Sequence, residues 1–129
     1  MDCLFCKITS GELPSETVYE DDIVRVFLDI KPVSNGHMLV VPKKHFENAL
    51  DIDDETLLHI RRITLKMYDL LKEKLGADGL TLCQNNNYGQ AIKHYHLHLI
   101  PRYENDDIEF KPDRSKLADV KDVFDQLKD

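Results

Sequence analysis

Three histidines alternate with apolar residues in His94-Tyr95-His96-Leu97-His98-Leu99-Ile100. On a strand, alternate side chains share a face, so successive rings lie about 6.6 Å apart and the three line a groove about 13 Å long. Tyr95, Leu97 and Leu99 then enter the core. Imidazole, with an ordinary pKa near 6.5, can serve as nucleophile, acid or base at neutral pH. A phosphorus centre suits such a row. One ring attacks through one nitrogen while its other nitrogen donates to a carbonyl, and neighbouring rings donate to the oxygens where charge accumulates. Three imidazoles can also hold zinc. However, strand positions i and i+4 are about 13 Å apart, too far to share an ion at bonds of roughly 2.0–2.1 Å.

A second cluster begins at Cys3-x-x-Cys6, while Cys83 stands in an apolar run. Three cysteines do not make a disulfide framework. The pair lacks the preceding strand of a thioredoxin-like unit, so half of a zinc site is preferred over a redox pair. No Gly-x-x-x-x-Gly-Lys loop occurs, and nothing supports nucleotide hydrolysis of the P-loop kind. His59 carries no comparable motif and reads as a surface residue; Cys83 reads as packed in a sheet.

The elements that must position these groups are legible in outline. Thr9 to Pro14 is turn-rich, Thr17–Tyr19 and Ile23–Ile30 read as a β-hairpin, and His37–Val41 as a third strand ended by Pro42. From Asp53 to Leu75, Leu57, Ile60, Ile63, Met67, Leu70, Leu71 and Leu75 recur at three- and four-residue steps. Acids at the start, Lys72 and Lys74 near the end and Gly76 beyond complete a long amphipathic helix. Leu80–Cys83 and Lys93–Ile100 read as two more strands, joined by a polar stretch rich in Asn and Gly. Ser115 as N-cap, with Leu117, Val120, Phe124 and Leu127, predicts a short C-terminal helix. The expectation is an α+β fold: one domain over 1–129 with an antiparallel sheet, a core of about 3–103 and a helical extension of about 114–128.

The 129 residues suit one domain, and 42% apolar with 32% charged residues suits a compact soluble protein. The formal charge of −7 disfavours nucleic-acid binding. A local group of Lys, His and backbone N–H donors can still attract a small anion. There is no apolar run of roughly 20 residues for a membrane span and no basic start with an apolar run for a secretory signal, so a cytoplasmic location without membrane contact is expected.

The triad strand resembles the signature of the histidine triad (HIT) family of nucleotide hydrolases and transferases. The likeness extends to Gly89-Gln90, Pro101-Arg102, Phe27-Leu28-Asp29-Ile30 and His37-Met38-Leu39-Val40-Val41-Pro42-Lys43-Lys44-His45. It covers residues 3 to about 103 and is nearest the bacterial branch related to purine nucleoside phosphoramidases. The resemblance implies a homodimer and a purine nucleotide substrate. It implies that His96 attacks the α-phosphorus to form a nucleotidyl intermediate, that His98 binds phosphate oxygens, and that His37 supports the phosphate or orients the site. Asp29 would bind the ribose hydroxyls, and its two acceptors suit a vicinal diol. Phe5, Ile8, Phe27 and Ile30 would wall the base, one of Asn85 to Asn87, with Asn85 favoured, would supply a polar contact to phosphate or ribose, and Gln90 would compensate for the donor missing at Ala91 while its loop guards the leaving-group side. By the same resemblance, His45 and His94 would complete a structural zinc site with Cys3 and Cys6. Ala91 departs from the family, which often has Ser or Thr there. A donor lost at a charged acceptor costs roughly 1.5–3 kcal/mol, or about one to two powers of ten in rate.

The leading expectation is cleavage of the P–N bond in a nucleoside 5′-phosphoramidate. A dinucleoside polyphosphate hydrolase is the alternative, with Arg102 available to a longer phosphate chain. A third reading, of another class, is a nucleotide-binding interaction protein with weak catalysis.

Overall fold

The computed structural model describes residues 3–128; Met1, Asp2 and Asp129, which the expected domain includes, lie outside the described residues. The elements follow in the order α1 (Leu4–Thr9), β1 (Thr17–Glu20), β2 (Val24–Leu28), β3 (Met38–Pro42), α2 (Asp54–Leu75), β4 (Gly79–Cys83), β5 (Leu97–Arg102), a 3-10 turn (Arg114–Lys116) and α3 (Val120–Leu127). The strands form one five-stranded sheet in the order β1-β2-β3-β5-β4. Every pairing is antiparallel. This is the α+β arrangement that the hydrophobic pattern predicts.

The sheet separates two cores. On one face Val24, Val26, Met38, Val40 and Leu99 pack against Ile60, Ile63, Met67 and Leu71 of α2. The other face carries a smaller cluster, in which Phe27, Leu39 and Val41 meet Phe5 and Ile8 of α1. Helix α2 forms as its sequence predicts: Asp53 caps the N-terminus by accepting from the Thr56 N–H, and Gly76 ends it at φ +69°.

Three local expectations are corrected and one helix is new. The strand predicted over Lys93–Ile100 starts at Leu97 and runs to Arg102. Tyr95 N–H donates to Phe46 O at 2.7 Å, which takes the segment before Leu97 into a different hydrogen-bond pattern. Helix α1 is unanticipated; Cys3 caps it, Sγ accepting from Cys6 N–H at 3.3 Å. At the C-terminus the cap is Asp119, whose carboxylate accepts from Lys121 N–H, and Ser115 Oγ–H donates instead to Asp113. Cys83 is exposed at the end of edge strand β4 rather than packed in the sheet.

His59 is more than a surface residue. Its Nε2 lies 2.7 Å from Asp21 Oδ2, which also accepts from Tyr19 O–H at 2.8 Å, fastening α2 to the β1–β2 turn. Burial alone would raise the Asp21 pKa, but the N–H groups of Val24 and Ile23 with His59 and Tyr19 outweigh it and hold the carboxyl at about 2.

Candidate active site

A single cross-strand row builds the floor of the site: Phe27 of β2 pairs with Leu39 of β3, Leu39 with His98 of β5, and His98 with Cys83 of β4. Above it lies a cleft of about 430 Å³. Phe5, Ile8, Phe27, Leu39 and Ile92 form its apolar wall, and Asp29, Lys31, Asn85, His96 and His98 its polar side. Ile30 lines it too, but from the lip, where it is 93% exposed.

Neighbouring backbone groups assign the imidazole protons. Val33 N–H donates to His37 Nδ1 at 3.0 Å, so neutral His37 carries its proton on Nε2. That Nε2–H faces His98 Nδ1 at 2.9 Å and leaves the proton of His98 on its own Nε2. His96 Nδ1 lies 2.7 Å from His94 O, an acceptor only, so Nδ1 is the donor and Nε2 keeps the lone pair. The rings of His96 and His98 lie 5.1 Å apart. An acceptor nitrogen thus stands next to a donor nitrogen along one wall.

Burial disfavours the charged form of these rings. It pushes His98 down to about 4, with help from His96 and His37, and lowers His37 and His96 as well; nearby Asp29 opposes the shift in all three. Asp29 Oδ2 lies 3.6 Å from His37 Nε2 and 3.8 Å from His98 Nδ1. Its other oxygen accepts from Lys31 N–H at 2.8 Å, fixing the carboxylate at the cleft wall.

His94 turns away from the other two. Its Nε2–H donates to Pro42 O at 2.8 Å, leaving the Nδ1 lone pair directed at Cys3 Sγ (3.2 Å), Cys6 Sγ (3.4 Å) and His45 Nδ1 (3.1 Å). Cys6 Sγ is 3.3 Å from His45 Nδ1, and the four ligand atoms lie within 4.8 Å of one another. The predicted row of three rings is therefore split: His96 and His98 share the cleft wall, whereas His94, ahead of the strand, faces the cysteines. Burial and the adjacent Cys3 push the Cys6 thiol up to about 11. Two thiols and two imidazoles converging at one point are the donor set of a four-coordinate zinc site, where the ion would supply the charge that stabilises the thiolates.

Of the remaining predicted residues, Asn85 and Ala91 line the cleft, whereas Gln90 does not. Gln90 is buried, and its amide donates to Glu47 O at 2.6 Å and Ile92 O at 3.0 Å while accepting from Asn87 N–H and Asn48 Nδ2. Its place is explained by closing the polar loop onto the 46–52 segment. Arg102 is also outside the cleft, forked onto Asp106 by two bonds of 2.8 Å. Sequence reasoning missed Asn48, Leu39, Lys31 and Ile92. Leu39 had a signal, since pairing the third strand with the one carrying Phe27 places it opposite, but Asn48 had none.

Residues 10–105 match the HIT domain family, and the chain belongs to that family. It is 44% identical over 128 residues to an uncharacterized HIT-like protein of Methanocaldococcus jannaschii, spanning 98% of each chain. It is 35% identical over 104 residues to an adenosine 5′-monophosphoramidase of Schizosaccharomyces pombe, covering 79% of this chain and 75% of that one. The solved structure of a zinc-bound histidine triad family protein from Mycobacterium smegmatis is similar with a TM-score of 0.81 at 36% identity, covering 90% of this chain and 87% of that one.

Proposed function

We propose that the chain is a nucleotide hydrolase that cleaves the P–N bond of a purine nucleoside 5′-phosphoramidate through a nucleotidyl-His96 intermediate. The observation that carries this reading is the bond from His96 Nδ1–H to His94 O, which leaves the Nε2 lone pair available beside the donor Nε2–H of His98. His96 Nε2 forms a bond to the α-phosphorus as the P–N bond to the amine breaks and the amine takes a proton from solvent, which the water attacking in the second step returns. His98 Nε2–H donates to a non-bridging oxygen, where it is most useful as charge develops. His37 holds His98 in that tautomer. Water then attacks the phosphorus, releasing the nucleotide and restoring neutral His96.

The apolar wall of Phe5, Ile8 and Phe27 fits a purine, and Asp29 has acceptors for the ribose diol. Among the described residues, Lys31 is the one lysine or arginine lining the cleft. With Arg102 committed to Asp106, a single phosphoryl group fits better than a polyphosphate chain. The test is kcat/KM for adenosine 5′-phosphoramidate against a diadenosine polyphosphate. A preference for the phosphoramidate is expected, and a tenfold preference for the polyphosphate would reverse the assignment.

We further propose that Cys3, Cys6, His45 and His94 hold zinc, which would neutralise the thiolates and tie α1 to the segments bearing His45 and His94. Such reduced thiols fit the cytoplasm. A homodimer is proposed through α2 and the free edge of β4, where Leu58, Leu65 and Leu82 are all about half exposed. Light scattering on the eluting protein would show twice the chain mass.

A further inference from the structure

Helix α1 makes two unrelated sets of contacts within two turns. Cys3, its N-cap, and Cys6 face His94 Nδ1 at 3.2 and 3.4 Å. Phe5, between them, turns towards the sheet and is buried. Its ring meets His96 edge-on, with centroids 4.9 Å apart and planes at 82°, and meets Phe27 at 5.6 Å and 71°.

His96 is therefore restrained in two ways. The hydrogen bond to His94 O holds one ring nitrogen, and the Phe5 ring opposes rotation of the imidazole plane. Both restraints lead back to the same four side chains. His94 supplies the carbonyl and is itself a member of the cluster, while Phe5 rides on the turn between the two cysteines.

A six-residue helix has little stability of its own, since isolated helices shorter than about 12–15 residues are marginal in water. Its C-terminal end is tied by Arg25 Nη1–H, which donates to Ile8 O at 2.9 Å. Its first turn, where Phe5 sits, depends on the cysteines and on packing against Phe27, Leu39 and Val41. Whatever binds the cysteines therefore acts on the turn that carries the Phe5 ring, alongside that packing.

We propose that Phe5 is a positioning residue for His96, and that zinc bound by Cys3, Cys6, His45 and His94 orders the reacting imidazole through Phe5 and the His94 carbonyl. This makes the metal cluster a regulator of the site as well as a structural tie, and it rests on the reading of His96 as nucleophile. Misplacing a reacting group by about 1 Å can cost up to a hundredfold in rate, which sets the scale of the effect.

The test follows the imidazole nitrogens of the full chain by NMR with 15N-labelled histidine. In zinc-loaded protein His96 gives one tautomer, protonated on Nδ1. Removing zinc with a chelator averages the two His96 nitrogen signals, and adding zinc alone restores them. Phe5→Leu, which keeps an apolar side chain and removes the ring edge, gives averaged signals even with zinc present. With adenosine 5′-phosphoramidate its kcat falls about tenfold or more, in addition to any rise in KM from the altered purine wall. If Phe5→Leu does not fold, Phe5→Met and the zinc titration of the unaltered protein make the same test. A single His96 tautomer that persists both without zinc and in the variant overturns the proposal, as does a kinetic loss confined to KM. The NMR titration needs no substrate. A protein with a zinc-ordered His96 and no phosphoramidate turnover would thus defeat the catalytic reading while supporting the positional one.

Discussion

His94 and His96 are two residues apart, yet their free nitrogens face different surroundings. His94 directs its Nδ1 lone pair at two thiols and a second imidazole, whereas His96 keeps its Nε2 lone pair on the wall of an open cleft. Both are buried and both are held at the other nitrogen by a backbone carbonyl. The difference lies in which nitrogen the carbonyl takes: Pro42 O takes Nε2–H of His94, and His94 O takes Nδ1–H of His96. The second hydrogen bond, more than residue type or spacing, thus separates a metal-ligand geometry from a nucleophile geometry.

The comparison breaks most sharply when His96 is removed. His96→Ala should lower kcat/KM for adenosine 5′-phosphoramidate by about a thousandfold or more, because no neighbouring acceptor nitrogen can replace Nε2. Disabling the other group should act first on stability. Zinc at a hundred times its Kd adds about 2.7 kcal/mol when it binds only the folded chain, so the unfolding midpoint of the unaltered protein should rise with added zinc and that of Cys6→Ser should not.

Smaller effects sharpen the contrast. Ala91→Ser restores a hydroxyl at the cleft wall, and a rate gain of about tenfold or more is expected in the steady-state assay. Gly36 stands at φ +93° in the loop that delivers His37, with Leu71 and Leu75 carbons 2.8 Å from where a Cβ would lie. Gly36→Ala should therefore cost about 1–2 kcal/mol in urea unfolding. Acid should loosen the cleft group in a defined window. His37 and His98 have folded pKa values below their ordinary value, so the unfolded chain takes up protons first and stability falls with falling pH. The loss begins near the ordinary value of 6.5 and for His98 continues to about 4, with a slope of up to about 1.4 kcal/mol per pH unit from each histidine. Urea midpoints at pH 7, 6 and 5 in His98→Gln should show a shallower decline.

The parts readable from sequence are those set by local repetition. Helix α2 declares both ends through Asp53 and Gly76, and the strands declare themselves by β-branched runs between turns. The membership of the Cys3, Cys6, His45 and His94 group was legible only through family likeness, since its ligands come from three distant segments. Helix α1 was obscured by its brevity, with one buried face of Phe5, Ile8 and Thr9 and no repeat to reveal a period. The direction of the Gln90 side chain was not legible, because adjacency to the cleft in sequence says nothing about it. The nearby Ile92 carbonyl and the Glu47 carbonyl, which only folding brings close, capture that amide. The start of the triad strand was misplaced for the same reason, through the long-range bond from Tyr95 N–H to Phe46 O.

The most direct test of the central claim is the mass of the intact protein after brief mixing with adenosine 5′-phosphoramidate and a rapid quench that preserves phosphorus–nitrogen bonds, with His96→Ala in parallel. An adenylyl adduct on the unaltered chain, absent from the variant, is the predicted result. Release of AMP by His96→Ala at the unaltered rate, or an adduct of equal yield in both proteins, would contradict the assignment of His96 as nucleophile.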